Sequence, residues 1–254
     1  MGIYACNIFY VIHRDNIYVN VLIETRSLNL SREEIEDFRR KIIYWYRVHG
    51  DRDLPWRKRR GEWEVFVAVA LLRSTRRELV ARVYGEFLEN YSDPRRLASS
   101  KLEDVRKLIK PLGLYNERSR ELIDAARIIV SVYNGRIPCD REKLLELPGV
   151  GDYAASVILL RACGKPEPLL DRNTVKVYGR VFGVKPIKFN PYRDPVIRDL
   201  AVKLVPMDPE EAYEFNLGIM DLASKVCVDI PRCNICPIKE HCKWFKRKPP
   251  ETLF

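Results

Sequence analysis

Among its 254 residues the chain has no glutamine at all. Together with dense Glu, Lys and Arg, this absence fits the composition of heat-adapted proteins, in which thermolabile amides are depleted. Long apolar runs are missing too. A bilayer span needs roughly 18 such residues, and even the stretch 17–23 is broken by Asn20 and ends at Glu24, Thr25 and Arg26. No membrane span is expected. The N-terminus lacks the marks of a secretory signal, because its apolar stretch 8–12 is short and neither a charged n-region nor a small-residue cleavage site frames it. The expectation is a cytoplasmic protein. Internal repeats and low-complexity linkers are absent, and the basic, proline-containing tail 246–250 reads as solvated.

What is present is an ordinary globular balance of 46% hydrophobic and 31% charged residues, which argues against disorder. The net charge of +10 favours an anionic partner, with nucleic acid ahead of an acidic membrane, and says nothing about fold. Seven cysteines is an odd count. Cys6, Cys139 and Cys163 are scattered, whereas Cys227, Cys233, Cys236 and Cys242 fall within sixteen residues, a clustering that suggests metal rather than disulfides.

Residues 3–23 form two β-branched and aromatic runs, 3–12 and 17–23, around the polar break His13-Arg14-Asp15-Asn16, which predicts a β-hairpin. From Ser31 the period becomes helical. Ser31 with Glu34 makes a capping box, and Ile35, Phe38, Ile42, Ile43 and Tyr46 recur along one face. Further helices are expected over 63–73, 76–90, 102–110, 116–133, 141–147, 152–163, 173–182, 194–204 and 209–225. Asp93-Pro94, Asn134-Gly135 and the glycine turns 111–113 and 148–151 punctuate them.

The run Leu144-Leu145-Glu146-Leu147-Pro148-Gly149-Val150-Gly151-Asp152-Tyr153 reads as helix, glycine turn and second helix. Gly149 and Gly151 would let the backbone approach another surface, and the N–H groups opening the second helix can bind a phosphate oxygen. A Pro-Gly-Val-Gly turn can equally join two packed helices. Twenty residues beyond Gly151 lies Asp171, followed by a predicted helix that it could simply cap. The order hairpin, Tyr153, Asp171, cysteine cluster resembles that of the helix-hairpin-helix DNA glycosylases, the superfamily of endonuclease III and MutY. The resemblance covers about 41–242. It is carried further by Asp53-Leu54-Pro55-Trp56-Arg57, Leu71-Leu72-Arg73-Ser74-Thr75, Leu112-Gly113-Leu114-Tyr115-Asn116-Glu117-Arg118 and Phe215-Asn216-Leu217-Gly218-Ile219-Met220-Asp221, runs most similar to the archaeal mismatch (MIG) branch.

Four thiolates spaced Cys227-x5-Cys233-x2-Cys236-x5-Cys242 can hold a [4Fe-4S] cluster or one zinc, and spacing alone does not choose. The resemblance implies a structural [4Fe-4S] cluster. The first interval is one residue shorter than in that family, which shortens the loop 228–232 that there meets the DNA backbone, with Arg232 the residue for phosphate. Asp171 is, by resemblance, the carboxylate that stabilises a cationic sugar and orients water. Tyr153 stands where endonuclease III has the lysine that forms a Schiff base, so a glycosylase without strand cleavage is implied. Either side chain has a plainer reading, as a helix cap and as a packed aromatic.

Val69 occupies the position of the glutamate with which MutY protonates departing adenine, which argues for a pyrimidine that can leave as an anion; core packing alone also accounts for it. The turn Arg73-Ser74-Thr75 is implied to fill the gap left by a flipped base, with Arg73 able to hydrogen-bond guanine, and Tyr115 and Asn116 lie on the same DNA-facing side. Asp152 replaces a basic residue common at this helix start, and the basic run 57–60 could compensate or be a solvated face.

The expected fold is all-α, a helix-hairpin-helix glycosylase with an iron-sulfur cluster domain and a small N-terminal β-hairpin. Its expected parts are an extension over 1–30, a six-helix barrel over 58–166, and a cluster domain from 31–57 and 167–254. The expected function is monofunctional removal of uracil or thymine opposite guanine from double-stranded DNA, by a monomer that does not bind membranes. The alternatives are a MutY-like adenine glycosylase acting opposite 8-oxoguanine and a non-catalytic damage sensor.

Overall fold

The structure, a computed structural model, describes residues 30–247 and the backbone of Val11–His13 and Asn16–Tyr18. Over 30–247 it is helical throughout. The helices are α1 (Arg32–His49), α2 (Glu62–Leu72), α3 (Arg77–Asn90), α4 (Pro94–Ala98), α5 (Leu102–Ile109), α6 (Tyr115–Tyr133), α7 (Arg141–Leu145), α8 (Asp152–Arg161), α9 (Arg172–Phe182), α10 (Pro195–Leu204), α11 (Pro209–Lys225) and α12 (Lys243–Arg247). Local chemistry sets many of their starts. Ser31 closes the capping box with Glu34, and Asp93, Asp140, Asp171, Asp194 and Asp208 each accept backbone N–H bonds at the start of α4, α7, α9, α10 and α11. The Asp93-Pro94 break is therefore the N-terminus of a short helix rather than only the end of one.

The helices bury two apolar cores. One gathers Phe38 and Ile42 of α1, Val177 and Tyr178 of α9, Leu200 of α10 and Phe215 and Leu222 of α11. The other gathers Phe66 and Leu71 of α2, Val80 and Phe87 of α3, Ile109 of α5, Leu122 and Ile129 of α6 and Ile158 of α8. Helix α8 joins them: Ala155, Ile158 and Leu159 enter the second core, Leu160 enters the first, and Val157 packs on both. A helix apolar on all sides belongs between layers, as this one is. In the first core α1 and α11 approach closely at Gly218, where a Cβ would stand 2.7 Å from Ile42 Cγ2.

The expected N-terminal β-hairpin is corrected. Among the described residues no strand enters either core: both are built by helices and the loops that join them, such as Ile137, Leu169 and Leu170. Among the described residues extended pairing is three residues against three, Val11↔Tyr18, Ile12↔Ile17 and His13↔Asn16, and the rest of the runs 3–12 and 17–23 lies outside them. β-Branched composition signals a strand only where a sheet or core backs it, and a lone two-stranded ribbon is marginal in water.

A second difference concerns the scattered cysteines. Cys139, just before α7, and Cys163, just after α8, form a disulfide with Cα atoms 5.6 Å apart. The bond joins the two ends of the helix-turn-helix segment, and Lys165 Nζ donates to Cys139 O at 2.6 Å beside it. A crosslink closing 24 residues of sequence separation contributes about 3 kcal/mol by constraining the unfolded chain. The double variant Cys139→Ser/Cys163→Ser is therefore expected to melt lower than the oxidised parent by calorimetry. Equal melting temperatures would show that the crosslink contributes nothing.

Candidate active site

A cleft of about 730 Å³ runs between the two cores. The C-terminal end of α2 supplies Val69, Leu72, Arg73 and Ser74, the turn into α8 supplies Gly149, Gly151 and Tyr153, the start of α9 supplies Asp171 and Asn173, and α11 supplies Tyr213, Met220 and Asp221. Residues far apart in sequence thus meet at one place, and these include Tyr153, Asp171, Gly149, Gly151, Arg73 and Ser74. Tyr115, Asn116 and Arg232 do not line the cleft; Tyr115 and Asn116 open α6, with Asn116 exposed, and Arg232 is exposed on the cysteine loop.

Asp171 is the N-cap of α9. Its Oδ1 accepts from the Thr174 backbone N–H at 2.7 Å and from Thr174 Oγ1 at 3.0 Å, while Asn173 Nδ2 donates to Oδ2 at 3.3 Å. The capping role and the cleft position are one geometry, because an N-cap side chain sits where the helix points its free N–H groups. Tyr153 is the second residue of α8 and is half-buried, with its hydroxyl 3.5 Å from Met220 Sδ. Burial, and after it the nearby Asp171 carboxylate, pushes this phenol far above its ordinary value, so it stays protonated.

Three carboxylates line the cleft among the described residues, and two are held by cations. Asp221 receives Arg57 Nη1 at 2.6 Å and Nη2 at 2.9 Å, with side chains 2% and 8% exposed, and it also accepts the Asp51 N–H at 2.8 Å. Burial works against the Arg57 charge, but hydrogen bonding to Asp221 and its charge outweigh that and raise the arginine. Glu78 pairs with Arg77 at 3.2 Å. Asp171 is the third. Arg57 and Asp221 each lie in one of the motif runs, but their pairing across 164 residues leaves no local signal in the sequence.

Of the two turn glycines only Gly149 needs its freedom: its φ is +78°, and a Cβ would meet Glu121 Oε2 at 3.2 Å. Gly151 is the extended N-cap of α8 and faces open space, leaving the α8 amide end accessible to an anion. Ser74 has φ 52°. The Arg73 guanidinium is occupied on the protein, donating Nη1 to Glu121 Oε1 at 3.0 Å and Nη2 to Oε2 at 2.5 Å. Asp152 is likewise engaged, by Asn190 Nδ2 at 2.9 Å. Each cation of the basic run has a carboxylate partner: Arg57 with Asp221, Lys58 with Asp53, Arg59 with Glu64 and Arg60 with Glu210. That run is not a free basic face.

Cys227, Cys233, Cys236 and Cys242 converge on one cavity of about 20 Å³ against Val177, Leu222 and Ile238. Burial pushes the Cys236 thiol up to about 12, with the thiols of Cys227, Cys242 and Cys233 acting in the same direction. Arg180 Nη1 donates to Cys227 Sγ at 3.4 Å and to the Val228 carbonyl at 2.6 Å, fastening the loop 228–232. Among the described residues no group of three or more His, Cys, Asp or Glu stands at the spacing of a single metal ion's ligands.

Residues 67–206, more than half of the chain, match the family described as HhH-GPD superfamily base excision DNA repair protein. The chain belongs to this superfamily. It is 50% identical over 219 residues to a thymine-DNA glycosylase of Aeropyrum pernix, covering 86% of this chain and 98% of that one. It is 48% identical over 213 residues to a thymine/uracil-DNA glycosylase of Pyrobaculum aerophilum, covering 83% and 93%. Among solved structures it resembles a thermostable thymine-DNA glycosylase with TM-score 0.79 and 30% identity, over 85% of this chain and 98% of the other. The resemblance inferred from the hairpin, Asp171 and the cysteine spacing is thereby borne out. No helix among the described residues is long and apolar enough to cross a membrane.

Proposed function

We propose that this chain is a monofunctional DNA glycosylase of base excision repair that hydrolyses the N-glycosidic bond of thymine or uracil mispaired with guanine in duplex DNA. The observation that carries the reading is the cleft's acid inventory. Of the three carboxylates lining it among the described residues only Asp171 has no arginine partner, and Val69 presents an apolar wall. Adenine leaves poorly unless a positioned acid protonates it, whereas thymine and uracil depart with the bond's electron pair as stabilised anions. Relatives named as thymine or uracil glycosylases support the same substrate class.

In the proposed reaction the mispaired nucleotide swings into the cleft, at the least cost where pairing is already weak. The C1′–N1 bond breaks, the base takes the electron pair, and the sugar becomes cationic. Asp171 stabilises that cation through its charge and receives the proton of the water that adds at C1′, leaving an abasic site. Tyr153 packs beside Asp171 as a neutral phenol and offers no amine for a Schiff base. Under borohydride with a G·U duplex, abasic sites are expected to accumulate with no covalent protein–DNA product. A trapped adduct would contradict the monofunctional assignment.

In this reading Gly149, Gly151, Arg73, Ser74, Tyr115, Asn116 and Arg232 form the DNA face, with the open α8 amide end receiving a phosphate. The two cores support a division into a barrel over 58–166 and a second unit from 31–57 and 167–254. Cys227, Cys233, Cys236 and Cys242 would hold a [4Fe-4S] cluster in the second unit. The fit rests on an all-thiolate donor set around one cavity, with Arg180 donating to Cys227 Sγ, an outer-shell contact of the kind that tunes such sites. One zinc would draw the four sulfurs within about 4 Å of each other, at about 2.3 Å from the metal, whereas a cluster spreads them more widely. When bound, the cluster ties the loop 228–232 to α12 as a structural crosslink. Metal analysis is expected to give about four irons per chain; about one zinc instead would contradict the assignment.

A further inference from the structure

Arg118, closing the first turn of α6, is among the largest fully buried side chains, 1% exposed, yet no carboxylate hydrogen-bonds it. Its donors go to loop backbone and a loop hydroxyl. Nη1 donates to Gly113 O at 3.2 Å, Nη2 donates to Arg73 O and, at 3.0 Å, to Thr75 Oγ1, and Nε has no partner. Thr75 Oγ1 also lies 3.0 Å from Leu112 O, so one guanidinium and one hydroxyl join the turn 73–75 to the turn 112–114. Both turns contain non-glycine residues in the left-handed region, Ser74 at φ 52° and Leu114 at φ 51°, which a chain adopts only where its surroundings hold it. Leu114 is nevertheless half exposed.

One helical turn further along α6, Glu121 clamps Arg73 with both oxygens and stands against the Cα of Gly149. Two turns separated in sequence, 73–75 and 112–114, are therefore fixed by side chains of one helix, and a third, 148–150, lies against one of them. A buried charge with no hydrogen-bonded carboxylate is costly to hold. The carbonyls that accept from Arg118 belong to the two turns 73–75 and 112–114.

We propose that Arg118, assisted by Glu121, is a positioning residue that holds these turns in the shape that meets duplex DNA while the target base is out of the stack. The inference rests on the glycosylase reading above for its substrate, but its test does not. The affinities of the full-length protein are measured for a duplex carrying a tetrahydrofuran abasic analogue opposite guanine and for the same duplex undamaged. Arg118→Met is expected to lose about tenfold in the ratio of the two while undamaged DNA binds as before. Arg118→Lys, able to reach fewer carbonyls, recovers part of the ratio.

Single-turnover base release from G·U is expected to fall about 100-fold in Arg118→Met, as for a misplacement of the reacting groups by about 1 Å. Should that variant fail to fold, Thr75→Val removes the shared hydroxyl and is expected to lower the ratio in the same direction. Both affinities falling together, or an unchanged ratio in variants that melt normally, would overturn the proposal. If the parent released neither uracil nor thymine, the functional reading would fail while the affinity ratio still decided the role of Arg118.

Discussion

Asp171→Asn is expected to lower single-turnover base release by about 10²–10⁴-fold with little change in melting temperature or in affinity for an abasic-analogue duplex. The separation follows from the two roles of one side chain. As the N-cap of α9, Asp171 accepts the Thr174 N–H and hydroxyl, and asparagine caps a helix about as well. As the cleft carboxylate, it supplies a negative charge and a proton acceptor, and asparagine has neither. A variant that keeps its rate would reduce Asp171 to a cap, the plainer reading of the same residue. A variant that loses rate and stability together would show that asparagine does not preserve the α9 start.

Asp221→Ala carries the largest expected effect on stability. It would strip Arg57 of a bidentate partner where the two side chains are 8% and 2% exposed, and would also release the Asp51 N–H. Removing one member of a buried pair leaves an uncompensated charge and costs about 3–5 kcal/mol. For a chain of this size that is a fall in melting temperature on the order of 10 °C by calorimetry. The double variant Arg57→Met/Asp221→Leu is expected to melt higher than Asp221→Ala, because it removes both charges and fills the space. A single variant as stable as the parent would mean that water reaches Arg57.

How much of this was legible in the sequence depended on whether the signal was local. The longer helices over 30–247 were, since caps and 3.6-residue periodicity are written within a few residues, as at Ser31 and Glu34, whereas the five-residue α4 and α12 are too short to show a period. The cleft was legible through Tyr153 and Asp171, which stand at fixed distances from the glycine turn. What escaped were partnerships across long separations: Arg57 with Asp221, Arg118 with Gly113 and Arg73, and Cys139 with Cys163. A sequence shows that an arginine exists but not which carbonyl it reaches. The disulfide had a usable signal, because its cysteines bracket two short helices joined by a tight turn, whose outer ends must lie together. The basic run 57–60, open in the sequence between phosphate binding and a solvated face, has each charge answered by a distant or neighbouring carboxylate.

Base release at elevated temperature puts pyrimidine excision by hydrolysis in the Asp171 cleft to the test. Three duplexes are compared, G opposite U, G opposite T and 8-oxoguanine opposite A, each with and without alkali to cut abasic sites. Strand cleavage at U and T that depends on alkali is expected, and none at A, because Val69 offers no proton to departing adenine. Cleavage at A alone would contradict it and show that adenine leaves without that acid.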